Sequence, residues 1–352
     1  MTAQQQTKKL VKCLVWDLDD TLWEGTLLES GGLILKDGVL DIIKAVNARG
    51  ILQSVASKND HDDASRRLQQ FGLNEYFLYP QINWNPKSES IRNIANKINI
   101  GLDTIAFIDD QPFEREEVAF SLPEILCIDA KDLGSLLSLP EMNPPFVTED
   151  AAQRTRMYLD EIERNRAEEQ FNGPQEEFLA TLGMEFTISA AGEGDLQRAE
   201  ELTVRTNQLN TTGYTFSYEE LDHLRKSDSH KVLIASLKDK FGTYGKIGLA
   251  VIECQRGVWI LKLLLMSCRV VSRGVGSIML NHIMRAAKAA NVSLQAEFIA
   301  NGRNRLMYAT YKFANFREVA RDGEKIILQN DLSNLRNDPA YVKLSYEDRN
   351  HH

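Results

Sequence analysis

The sequence predicts an α/β chain: a doubly wound parallel sheet followed by a second, α+β domain. Three observations carry this. Apolar strand-like segments alternate with helical ones in the first 132 residues, those segments end on polar or acidic residues, and the texture then changes into a proline- and charge-rich stretch before strands and helices resume. A chain of 352 residues, 43% hydrophobic and 26% charged, also exceeds what one core usually fills, so two domains are expected.

The first element is LVKCLVWD, residues 10 to 17, apolar and β-branched enough for a buried strand and ending on an acid. Residues 38 to 48 (GVLDIIKAVNA) have helical spacing, and Gly50 stops them before the strand ILQSVAS, residues 51 to 57, which makes a βαβ unit. Asn59, Asp60 and Asp62 offer caps for a helix through Phe71, and residues 88 to 98 supply another. The strand TIAFIDD, residues 104 to 110, again ends on acids. Residues 133 to 183 read as a linker and connecting helix, since LPEMNPPF holds three of the nine prolines and a charged run follows whose charges are expected to be a solvated helix face. From 184 to 352 the second domain is expected, with a strand at EFTISAA, a helix over residues 194 to 210, and strands at HKVLIASLKD, KIGLAVIEC and GVWILKLLLMS. Helices then follow over residues 276 to 291 and 304 to 315.

Composition narrows the function classes. A net charge of −9 disfavours a nucleic-acid partner, whose phosphates call for clustered Lys and Arg. No stretch approaches 18 apolar residues, so no membrane span is expected, and the polar start MTAQQQTKK lacks a secretory apolar run, so the expected location is the cytoplasm. Cys13, Cys127, Cys254 and Cys268 are scattered without a CxxC pair and read as reduced thiols.

Asp17-Leu18-Asp19-Asp20-Thr21 places two carboxylates two residues apart just after a strand. One such aspartate can attack phosphorus and the other can protonate the leaving oxygen, with a cation offsetting the repulsion between carboxylate and phosphate. Ser57 at the second strand's end suits phosphate oxygens, Lys87 suits the phosphate charge, and Asp109 and Asp110 suit an oxygen-rich Mg²⁺ shell. These four pieces, in this order, resemble the motifs of the haloacid-dehalogenase superfamily. The resemblance implies Asp17 as nucleophile, Asp19 as acid/base, and Ser57 and Lys87 as phosphate binders. Asp110 is implied as direct metal ligand with Asp109 beside it; Asp17 and Asp19 are counted with them around Mg²⁺. Thr21, Lys58 and Asn59, in the same motifs, are grouped with the substrate-binding residues. Forty residues separate Asp17 from Ser57 and thirty separate Ser57 from Lys87, which leaves no room for a cap domain. A capless, open site suits a large or protein-presented substrate, unless a short loop or the second domain serves as lid.

In the second domain, Ser267-Cys268-Arg269-Val270-Val271-Ser272-Arg273-Gly274-Val275-Gly276 links a strand to a helix. The glycine turn resembles the acyl-carrier binding turn of GNAT-type acyltransferases, although Val271 stands where that pattern has Gln or Arg. Cys268, beside Arg269 and ahead of a helix, is either a thiol whose thiolate is favoured or a buried, inert one. Arg205, Asn207, Gln208 and Asn210 form a polar run that either caps a helix or binds substrate, and the Asp239-to-Gly245 turn between two strands is read as a possible lining of the same pocket. His223, His230 and His282 are the histidines of this domain placed to assist, each more often structural.

Taken together, WDLDDTLWEGTL, SKND, FIDDQPFERE, RTNQLNTTG, DKFGTYGKIG and LMSCRVVSRGVG resemble the FkbH-like family of glyceryl-carrier-protein synthases over residues 10 to 330. The resemblance implies an enzyme that takes 1,3-bisphosphoglycerate, removes its phosphates, holds glyceryl as a thioester on Cys268 and passes it to the phosphopantetheine thiol of an acyl carrier protein for polyketide assembly. Arg205, Asn207, Asn210 and Arg269 would then bind the carrier arm or the glyceryl group. Two other readings stand beside it: a capless Mg²⁺-dependent phosphatase with an accessory binding domain, and a carrier-docking module without catalysis. The intact set of Asp17, Asp19, Ser57, Lys87 and Asp110 argues against the last.

Overall fold

The computed structural model describes residues 10–28, 32–206 and 208–347. Contacts divide the chain into two compact units, Met1–Ile162 and Glu163–His352.

In the first unit the order is β1 (Cys13–Trp16), α1 (Val39–Ala48), β2 (Leu52–Ser57), α2 (His61–Gln70), β3 (Gln81–Ile82), α3 (Lys87–Ile98), β4 (Ile105–Asp109), α4 (Pro112–Ser121) and β5 (Leu126–Asp129). All five strands are parallel, in the spatial order β3-β2-β1-β4-β5. β1, β2 and β4 are buried along their whole length; β1 and β4 read as apolar runs, whereas β2 also buries Gln53, Ser54 and Ser57. One apolar cluster packs around Trp16, Val39 and Ile43, another around Val15, Ile91 and Phe107. The chain moves from β1 to β2 and β3 on one side and then returns to β4 on the other. The strand order therefore reverses beside β1, and the loops after β1 and β4 part at that crevice.

The stretch expected as a linker is shared between the units. Leu133, Leu136 and Met142 pack into the first core, and Phe178, Leu179 and Leu182 into the second, so both ends carry apolar side chains that need burial. Between them lie α5 (Glu149–Ala152) and α6 (Arg154–Glu169). α6 departs from the expected solvated face: Arg154, Asp160 and Arg164 are buried, each with a partner from its own unit.

The second unit continues with α7 (Gln175–Thr181), β6 (Met184–Ala190), α8 (Leu196–Arg205), α9 (Tyr218–Arg225), β7 (His230–Asp239), β8 (Gly242–Gln255), β9 (Val258–Met266), α10 (Ile278–Ala289), β10 (Ser293–Ile299), α11 (Arg305–Phe313), β11 (Arg317–Asp322), β12 (Lys325–Asn330) and β13 (Val342–Glu347). Its eight strands run β11-β12-β10-β9-β8-β7-β6-β13, antiparallel except for the β9–β10 and β6–β13 pairs. Apolar clusters lie on both faces, one built with α8 and α9, the other with α7, α10 and α11. The α/β class and the mixed second domain are as the sequence predicts.

β9 and β10 pair only over Val258–Leu261 and Ser293–Ala296. Beyond that point residues 209–211 take the vacated edge: Met266 N donates to Leu209 O at 3.0 Å, Thr211 N to Leu264 O at 3.1 Å, and Ile299 N to Thr211 O at 3.0 Å. The helix expected through residue 210 thus stops at Arg205, because the backbone of the next segment is drawn into the sheet. Among the described residues no helix is long and apolar enough to cross a membrane.

Candidate active site

The end of β1 delivers Asp17, whose N–H donates to Ile108 O at 2.9 Å and so extends the β1–β4 ladder by one residue. Immediately afterwards the Leu18 carbonyl accepts from Thr21 N, Leu22 N and Trp23 N, folding the DLDDT run into a tight turn. The chain then makes a hairpin closed by Glu24 N to Ile34 O (2.9 Å) and Lys36 N to Leu22 O (3.1 Å). β2 delivers Ser57, β4 delivers Asp109, and α3 opens with Lys87 behind Pro86, a proline where the helix needs no donor.

These residues converge. Lys87 Nζ donates to Asp17 Oδ1, to Ala56 O at 2.9 Å and to Asp109 Oδ2 at 3.1 Å, with all three side chains nearly inaccessible. Carboxylate oxygens of Asp17, Asp109 and Asp110 lie within 4.8 Å of one another. Burial, with the neighbouring Asp109 charge adding to it against the attraction of Lys87, pushes the Asp17 carboxyl up to about 6. Burial and the charge of Asp109 also raise Asp110. For Lys87, burial opposes the charge, but Asp17 and Asp109 more than offset it and raise the ammonium above its ordinary value. Three carboxylates around one ammonium leave an excess of negative charge, and the donors are all oxygen, so the set fits a hard divalent cation such as Mg²⁺.

The remaining expected residues divide. Thr21 joins the group: its Oγ1 accepts from Asp110 N at 3.0 Å and lies 3.4 Å from Asp110 Oδ1. Ser57 is 3% exposed, and its hydroxyl accepts from Asn59 Nδ2 at 3.1 Å, so Asn59 orients the hydroxyl while Asp60, not Asn59, caps α2. Asp19 lies outside the three-carboxylate group. Its Oδ1 accepts from Trp23 Nε1 at 2.8 Å and Leu27 N at 3.2 Å, bonds that turn that oxygen toward the hairpin. Lys58 is drawn off to Glu114 at 2.8 Å.

In the second unit Cys268 follows β9 and opens a 3₁₀ stretch, Cys268–Arg273; α10 begins only at Ile278, so the thiol sits well ahead of the helix it was expected to adjoin. Cys268 is exposed, Cys13 is buried, and Cys127 and Cys254 are intermediate. Burial raises the thiols of Cys13 and Cys254 and pushes Cys127 up to about 11. Arg269 Nη2 donates to Tyr244 O at 2.9 Å, and Arg273 is fully buried with Glu168 and Asn165. Gly274 takes φ +67°, where an added Cβ would run into the Tyr341 hydroxyl.

The polar run after α8 is less available than expected. Asn210 is fully buried; its Oδ1 accepts from Thr212 N at 3.1 Å and Gly213 N at 2.8 Å, and its Nδ2 lies 3.4 Å from Tyr214 O, so its amide is spent on the turn. Arg205 pairs with Glu201 at 2.9 Å, and Asn207 lies outside the described residues. His230 starts β7, at the opposite end of the sheet from Cys268, His223 is exposed on α9, and His282 stacks on Tyr346. Residues missed at the sequence level are Trp23, which holds Asp19, and Arg164, Asn165 and Glu168 around the Cys268 turn, whereas Tyr244 lies in the Asp239-to-Gly245 turn that the sequence singled out. Only the aromatic at a fixed offset after DLDDT offered a signal for any of the missed residues.

No family model matches the chain, and no curated protein matches it. Solved structures do. One is the N-terminal part of the protein BF1531 from Bacteroides fragilis, containing a phosphatase domain complexed with Mg, at 29% identity over 38% of this chain, with a TM-score of 0.31. The match spans 40% of that chain's length. Others are the ribosomal-protein-S18-alanine N-acetyltransferase from Escherichia coli (16% identity, 41% of this chain and 90% of that one, TM-score 0.32) and Ard1 from Thermoplasma volcanium (14%, 41% and 96%, TM-score 0.32).

Proposed function

We propose that the chain is a Mg²⁺-dependent glyceryl transferase: it accepts the acyl group of 1,3-bisphosphoglycerate on Cys268, removes the remaining phosphate at the Asp17 site, and loads glyceryl onto the phosphopantetheine thiol of an acyl carrier protein. The observation that supports it most is the meeting of Asp17, Lys87, Asp109 and Asp110 at the strand ends, a set built for a phosphate and a divalent cation. The exposure of Cys268, alone among the four cysteines, supports the acyl half, together with the resemblance of the motifs that flank it.

The steps balance on the chain's own groups. The Cys268 thiolate attacks the carbonyl carbon of the acyl phosphate; the C–S bond forms, the C–O bond to phosphate breaks, and phosphate leaves. At the other centre an Asp17 oxygen bonds to phosphorus as the ester oxygen departs. Asp19, with Oδ1 fixed by Trp23, gives a proton from its other oxygen to that leaving group, and water then frees phosphate from Asp17. Lys87 holds Asp17 in place, and Ser57 donates to phosphate oxygens. Asp17, Asp109 and Asp110 would hold Mg²⁺, which would supply charge neutralisation there. Finally the carrier thiolate attacks the Cys268 thioester, forming its own C–S bond and releasing Cys268.

The test is phosphate release and carrier loading by the Asp17→Asn and Cys268→Ala variants. Asp17→Asn is expected to stop at a phosphoglyceryl thioester on Cys268, and Cys268→Ala to leave the carrier unloaded. Undiminished carrier loading by Cys268→Ala would overturn the relay. Phosphate release with no acyl transfer by the wild type would leave the capless phosphatase.

A further inference from the structure

α6 ends with three side chains that reach the surroundings of Cys268. Arg164 binds Asp239 through Nε at 2.6 Å and Nη2 at 3.0 Å, with side-chain exposures of 1% and 0%. Asp239 also accepts from Phe241 N (2.9 Å), Gly242 N (3.2 Å) and the Tyr244 hydroxyl (3.1 Å), and the Arg164 guanidinium lies 4.1 Å from the centre of the Tyr244 ring. Tyr244 is thus gripped by ring and hydroxyl, and its carbonyl receives Arg269, the residue after Cys268. At the other end of the same turn, Arg273 binds Glu168 at 2.9 Å and Asn165 at 3.0 Å.

We propose that Arg164, through Asp239 and Tyr244, and Glu168 with Asn165, through Arg273, are positioning residues that set the place of the Cys268 thiol for acyl transfer. The inference rests on Cys268 as the acyl acceptor. A fully buried ion pair is a poor device for stability alone, because desolvation consumes most of its attraction and well-packed apolar side chains of similar volume do as well or better. What the pair provides is direction. A guanidinium fork on a carboxylate fixes two planes at once, and Lys cannot reproduce it. A thiol that must meet a carbonyl carbon needs such placement, since a displacement of about 1 Å costs on the order of 10²-fold in rate. Between these braces the turn is tight: Gly274 sits in a left-handed conformation where an added Cβ would meet the Tyr341 hydroxyl.

The experiment compares wild type with Arg164→Met/Asp239→Leu, Arg164→Lys and Tyr244→Phe in the full-length protein. It reads melting temperature, the rate of Cys268 alkylation by iodoacetamide, and the rate of acyl loading from 1,3-bisphosphoglycerate at varied donor concentration. For the apolar pair, melting is expected to fall, because Asp239→Leu also removes the acceptor of Phe241 N, Gly242 N and the Tyr244 hydroxyl, while alkylation stays within about threefold because the thiol stays exposed. The saturated loading rate is expected to fall by roughly 10- to 100-fold, with KM for the donor nearly unchanged. Arg164→Lys should share the loading defect. A folded apolar pair that loads Cys268 at the wild-type rate overturns the proposal; should that variant not fold, the same result from Tyr244→Phe does so. A wild type that never loads Cys268 overturns instead the relay on which the proposal rests.

Discussion

Trp23 donates its indole N–H to Asp19 Oδ1 at 2.8 Å, so the residue proposed as acid/base is held by a fully buried aromatic four positions along the chain. Leu27 N adds a second bond to the same oxygen at 3.2 Å. Trp23→Phe keeps an apolar ring in the hairpin and removes the stronger of these bonds. The expected result is a fall in phosphate-release kcat of roughly 10-fold with little change in KM, read by steady-state kinetics, since a loosened general acid loses part of its contribution. An unchanged kcat would mean that the indole only packs.

Lys87 donates to both Asp17 and Asp109 in a nearly inaccessible site. Lys87→Met leaves two adjacent carboxylates without it, and losing one partner of a buried charge cluster costs about 3–5 kcal/mol. Calorimetry is expected to show a lower melting temperature that Mg²⁺ partly restores, together with loss of phosphatase turnover. Melting at the wild-type temperature without Mg²⁺ would show that Lys87 does not balance the carboxylates.

The Asp17 carboxyl stands at about 6, raised by burial, against roughly 3.9 in an unfolded chain. A raised acid favours folding while protonated, so in the metal-free protein this contribution is present in full below about pH 4 and is lost as pH rises through 6. Mg²⁺ requires the ionised form, so its affinity should increase between pH 5 and 7, with proton uptake by buffer on binding at pH 6. Asp110, also raised, acts with the same sign. Titration calorimetry in buffers of different ionisation enthalpy measures this; affinity flat from pH 5 to 7.5 would contradict it.

Exposure orders the thiols. Burial raises the thiols of Cys13, Cys127 and Cys254, whereas Cys268 is exposed at the end of β9. Brief iodoacetamide treatment of the native protein at pH 8, followed by peptide mass spectrometry, is expected to label Cys268 at least about tenfold faster than the others. Faster labelling of Cys127 or Cys254 would contradict that order.

The cluster of Asp17, Lys87, Asp109 and Asp110 was legible because its acids stand where the buried, apolar β1 and β4 end, with Ser57 closing the buried β2 beside them. β3, with two residues, and β11, exposed at all six positions along a sheet edge, have no comparable pattern. Residues 209–211 join the sheet through backbone bonds to β9 and β10, which a run of Asn and Thr does not announce. Arg164 was hidden for another reason. Within ERNRAEE it reads as one more solvated charge, and only tertiary packing, which brings Asp239 from β7 against it, removes it from water. For Asn210 the sequence left a structural and a binding role open, and its Oδ1 is spent on Thr212 N and Gly213 N within the turn.

The most direct measurement is intact-protein mass spectrometry of wild type and Cys268→Ala after incubation with enzymatically generated 1,3-bisphosphoglycerate and Mg²⁺, with and without a phosphopantetheinylated carrier protein. The expected result is a glyceryl-sized adduct on the wild type alone, which moves to the carrier when that is added. Phosphate release without any adduct or loaded carrier, or an adduct that persists on Cys268→Ala, would contradict the cysteine relay.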